Sequence, residues 1–209
     1  MSIEITPAFM KDWFGPLALT PDQVRQVHQD GPGTVITADL AERRYRVHAP
    51  GTLDPTQNAR LVVFTHHNLQ LIGAQRCNQD GSWADLADET TKALRLDMCD
   101  WPANLFISPT VLALRTALAS ERFLPHTRPY VTPEAEGGVI DTLVFTPDPR
   151  VLMTTCLPAF THGPATCEAK ILTHRHAPLV EAQGPVCTDT ASDIAQGLAA
   201  EARAALTHL

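Results

Sequence analysis

The stretch from Ser82 to Leu124 limits what this chain can fold into more than any other. Pro102, Pro109 and the neighbouring Pro125 divide it into a helix, a short apolar segment and a second helix. Proline lacks an N–H and clashes with the preceding turn, so a helix begun at Ser82 must stop before Pro102. Ser82 suits an N-cap, and Asp85, Asp88 and Glu89 crowd the first turns, where the helix dipole favours carboxylates. Trp83, Leu86, Ala87, Thr90, Leu94 and Met98 recur at helical spacing and form one mostly apolar stripe. Leu105-Phe106-Ile107 has the length of a buried strand. Ser108-Pro109 restarts a helix, with Ser as cap and Pro at the first position, where its missing N–H costs nothing. Val111, Leu114 and Leu118 then make a second stripe, broadened by Leu112 and Ala113. Two such helices form either core scaffolding or the walls of a ligand groove.

The rest of the chain reads as strands in need of a partner layer. Residues 1–33 are expected to form an N-terminal arm with one short helix, capped by Thr20, with Pro21 at its start and Val24 and Val27 inward. Residues 34–209 are expected to form a single α+β domain. Ile36, Ala38 and Leu40, then Tyr45, Val47 and Ala49, alternate with polar residues and predict a hairpin. Residues 60–76 read as strand, with His66-His67-Asn68 either a tight turn or a continuous edge. Val139 to Phe145 alternates Val139, Asp141, Leu143 and Phe145 against Ile140, Thr142 and Val144, and Arg150 to Cys156 is its antiparallel partner. Residues 167–176 and 179–182 are further strands, and Thr190 to Leu206 a closing helix. The fold class expected is α+β: a mainly antiparallel sheet of about five to seven strands, with the two central helices and the C-terminal helix packed on it.

Size and charge narrow the function. A chain of 209 residues buries roughly 70% of its unfolded surface. The net charge of −7 gives no counterion-release advantage on phosphate, which argues against duplex nucleic acid and against an anionic membrane surface. Arg outnumbers Lys thirteen to three, read here as a bacterial or phage coding bias. The five cysteines are widely spaced without a C-x-x-C pair, so they suggest small buried hydrophobes in a reducing compartment. The N-terminus lacks a continuous apolar run, and no segment reads as a membrane span; the expected location is the cytoplasm or a particle assembled there.

Candidate chemistry is concentrated late in the chain. His174 and His176 stand two apart, so on a strand both rings share a face, and Glu181 follows. Two imidazoles and a carboxylate are a usual ligand set for a divalent metal, with His162, His66 or His67 as a fourth. This pattern resembles the first metal motif of the cupins, His-x-His followed by Glu. The preceding glycine stands further back, at Gly163, and no second His motif follows before the last helix. Cys156 with His162 is a second candidate, as thiol nucleophile and base. Arg43, Arg44 and Arg46 form either an anion-binding patch or a solvated sheet face. Nine histidines also suit a pH-sensitive interface, without singling out a residue. No phosphate-binding glycine loop or nucleophile elbow occurs.

The expected function is therefore a non-enzymatic assembly or interaction subunit of a larger complex or particle, self-associating or bound to protein partners. The alternatives are a small metal-dependent enzyme on His174, His176 and Glu181, or an acidic immunity or inhibitor protein.

Overall fold

Two threonine-capped helices open the chain, each with proline at its first position. In α1 (Pro7–Phe14) the Thr6 hydroxyl accepts from the Phe9 amide. In α2 (Pro21–Asp30) Thr20 and Gln23 form a reciprocal capping box, which satisfies amides that the first turn leaves without partners. These elements come from a computed structural model, which describes residues 5–53, 61–74, 82–101, 109–131, 138–158, 165–173, 178–186 and 190–206. The expected Leu105–Ile107 strand lies outside the described residues.

The strands fall into two sheets. β1 (Val35–Asp39) pairs with β2 (Arg44–His48) as the expected hairpin, and its other edge pairs with β3 (Val62–Thr65). At Thr65 the chain turns directly into α3 (His66–Ile72), and α4 (Trp83–Asp97) follows, ending in a 3-10 turn at Met98–Asp100. Met10, Phe14, Val24, Val27, Ile36 and Tyr45 pack with Leu69, Leu86, Leu94 and Trp101 in one apolar core. The aromatic rings of Phe14, Tyr45 and Trp101 meet at its centre, with Phe14 and Trp101 5.5 Å apart.

A second core lies over the larger sheet. Its strands are β4 (Phe123–Pro125), β5 (Tyr130–Val131), β6 (Gly138–Phe145), β7 (Val151–Pro158), β8 (Ala165–Thr173) and β9 (Pro178–Val186). The order is β4-β6-β7-β8-β9, with β5 also on β6. α5 (Pro109–Ser120) and α6 (Ala191–Leu206) pack on each other and on this sheet. Val111, Leu114 and Leu118 meet Phe123, Leu143, Phe145, Met153 and Leu198 there. Phe123 and Phe145 are register partners with ring centroids 5.0 Å apart.

The α+β class therefore holds, and every described strand pairing is antiparallel. The single sheet carrying both central helices is corrected. Nine described strands divide three and six, and α4 belongs to the first core while α5 belongs to the second. The reason is local: each strand finds its partners close in sequence, and α3 ends β3 before it can extend toward the later strands. Among the described residues, the strand expected across residues 60–76 is likewise limited to Val62–Thr65, because Thr65 and Asn68 form a capping box that starts a helix.

The two halves touch closely at Gly33. Its φ of +89° suits glycine, and a Cβ there would lie 2.8 Å from Leu124 Cδ1. Gly31 has a similar φ, +77°, but open space around it. Gly33→Ala should therefore lose about 1–3 kcal/mol, and more than Gly31→Ala, because it adds a steric clash to the same backbone strain. Thermal melts check this, at about 2–4 °C per kcal/mol for a chain of this size. Equal shifts for the two variants would show that the approach to Leu124 does not matter.

Candidate functional site

The seam between the two cores gathers four imidazoles that the sequence leaves scattered. His28 comes from α2, His66 and His67 from the first turn of α3, and His126 from the segment that leaves β4. All four are half-buried. The capping box at Thr65 sets the direction of α3 and thereby aims its first two side chains. The Thr65 hydroxyl also donates to the His126 carbonyl at 2.5 Å, across the seam. His126 and Thr127 donate their amides to Thr142 of β6.

Within the cluster the rings of His67 and His126 lie 4.1 Å apart with 31° between their planes, close to a stack. His28 and His66 are 6.5 Å apart. Gln70 Nε2 sits 3.1 Å from both His28 Nδ1 and His66 Nε2. An amide nitrogen only donates, so both ring nitrogens accept and are unprotonated in this arrangement. Burial, with smaller repulsion from neighbouring rings, holds His66 below the ordinary imidazole range. Burial does the same to His67. His126 is pushed down to about 4, by burial first and then by His67 and His66. His66, His67 and His126 are therefore neutral at pH 7.

On the large-sheet side, Arg115 and Asp141 form a buried ion pair, Nε to Oδ2 at 2.7 Å, with side chains only 5% and 1% exposed. Burial raises the Asp141 carboxyl and Arg115 opposes it. Arg115 also lines an apolar groove of about 290 Å³ between the halves. Gly33, Val35 and Leu53 wall one side, and Ala119, Phe123 and Leu124 the other. Such a groove is near the lower size limit of small-ligand pockets and is also wide enough for one apolar side chain of a partner.

The sequence-based candidates fare unevenly. His174 and His176 lie outside the described residues, as does His162. Glu181 lies on β9, in register with Lys170 of β8. Cys156 lies in β7, half-buried, and its proposed base His162 is outside the described residues. His66 and His67 do come together, with His28 and His126. Among the described residues no three His, Cys, Asp or Glu side chains converge as a metal-binding group. In the basic cluster two of the three arginines are paired with carboxylates. Arg44 pairs with Glu42, Arg46 with Asp39 and Glu42, and Arg43 donates to the Trp13 carbonyl and lies over its ring. Among the described residues no helix is long and apolar enough to cross a membrane.

Arg115, Asp141, His28 and His126 were not singled out by sequence reasoning. The ion pair left a signal. Arg115 stands four residues after Val111 and three before Leu118, on the same helical stripe, and Asp141 stands in the inward file of β6. A lone cation and a lone carboxylate on two buried faces call for each other. His28 and His126 carry no such signal, since a long-range fold brings them together.

Removing either partner of the ion pair leaves a buried charge, so Arg115→Met or Asp141→Leu should each cost about 3–5 kcal/mol. The double variant should recover most of that loss, because two apolar side chains need no counter-charge. Urea unfolding of the four proteins checks this; strictly additive losses would show that the two groups act independently. No protein-family description, curated protein or solved structure matches this chain.

Proposed function

We propose that this chain is a non-enzymatic assembly or interaction subunit of a larger complex or particle, acting in the cytoplasm through self-association or protein partners. One observation carries the reading: the open groove between the halves is walled mainly by apolar and small side chains, and its cation, Arg115, is committed to Asp141. A surface of that kind favours adhesion, since the apolar contact area supplies binding. Two large apolar side chains outside the groove lining are also exposed. Leu71 of α3 is 72% exposed and Leu96 of α4 is 81% exposed. Neither contributes to either core.

Sedimentation over a wide concentration range tests the reading with fold-preserving variants. The wild type should self-associate. Leu71→Glu with Leu96→Glu, or Ala119→Phe to fill the groove, should weaken that association about tenfold or more, equivalent to about 1.4 kcal/mol. A wild type that stays strictly monomeric at high concentration, with both variants indistinguishable from it, ends the proposal.

A further inference from the structure

Among the described residues, polar ties between the two cores converge on residues 126–128. His126 accepts from Thr65 through its carbonyl and lays its ring on His67. Arg128 reaches Asp100 at 3.4 Å and Asp97 at 3.7 Å, at the end of α4 and its 3-10 turn. The segment thus acts as a strap from the large sheet to the helices of the first core.

We propose that the histidines of this seam are an acid-released latch: with neutral rings the strap stays on α3, and proton uptake by the His126–His67 pair and its neighbours frees residues 126–128 from α3 and from Thr142. This goes beyond the assembly reading and does not depend on it.

The surroundings of the rings support the latch. On α3, His66 and His67 face His126, and on α2 His28 faces His66. His28 also packs on Trp83 of α4, over which Arg25 lies, itself paired with Asp22. β6 presents the Thr142 carbonyl to the strap backbone. On the strap itself Arg128 is cationic, and the nearby Asp97 and Asp100 are engaged by it. Among the described residues no carboxylate pairs with His66, His67 or His126, so a charge gained there meets other imidazoles and no counter-ion. Protonation at His66 Nε2 also turns an acceptor of the Gln70 amide into a donor, and Gln70 must then turn over or let go.

The sign of the effect follows from proton linkage. In the closed form burial holds His66 and His67 below their ordinary value and pushes His126 down to about 4, whereas a released imidazole titrates near ~6.5. Between these values the open form binds more protons. Closure is therefore at full strength above about pH 6.5 and weakens as pH falls toward about 4.

Hydrogen exchange on the full chain, corrected for the intrinsic pH dependence of exchange, tests the latch at the His126 and Thr127 amides. From about pH 7.5 to pH 5 their opening constant should rise by roughly tenfold or more, from His126 alone. His126→Phe keeps a ring but cannot take the proton, so its acid response should shrink to a small fraction of that. An unchanged opening constant in the wild type, or the same acid response in His126→Phe, overturns the proposal. Should that variant fail to fold, NMR titration of the wild-type imidazoles still decides: His126 titrating well below the ordinary range supports the latch, and His126 titrating at or above it overturns it.

Discussion

One buried hydroxyl holds much of this structure in place. Thr65 is the last residue of β3, the N-cap of α3 and the donor to the His126 carbonyl across the seam. Its fully buried position leaves no water to replace those partners. Strand end, helix start and inter-core contact are therefore set by the same side chain. The direction of α3 follows from it, and with that direction the placement of His66, His67, Leu69 and Gln70.

Around this point the molecule divides into two cores that differ in how they treat polarity. The first closes on aromatic and aliphatic side chains, and its buried threonines Thr90 and Thr91 satisfy their hydroxyls on carbonyls one turn back. The second buries a full ion pair. A buried guanidinium and carboxylate cost solvation that apolar residues would not, so their use beside the groove ties α5 to β6 in one orientation at the expense of stability. The groove and the histidine cluster lie at the contact between the two cores, where packing is least extensive and where small energies can change the arrangement.

Much of the local structure was legible in the sequence. The Thr20-Pro21 helix start, the hairpin of β1 and β2, the antiparallel pair β6 and β7 and the closing helix follow from caps, alternation and turn chemistry. Residues 66–72 were misjudged because Val62 to Phe64 is strongly strand-like and the cap at Thr65 is a Thr…Asn pair, a weaker signal than Thr…Glu or Thr…Gln. The candidate site was far less legible. His66 and His67 were noted only as possible ligands, while His28 and His126 lie 38 residues before and 59 residues after them and share no motif. The ion pair was legible in principle, as two charges out of place on apolar faces.

The sequence by itself determined where most of the elements begin and end and which faces are apolar, because caps, prolines and periodicity act over a few residues. Only the tertiary structure decided that the strands form two sheets, that Arg115 meets Asp141 and that four imidazoles share one seam. Those outcomes depend on which apolar faces find each other across long stretches of chain, and non-directional burial writes no address for its partner into the local sequence.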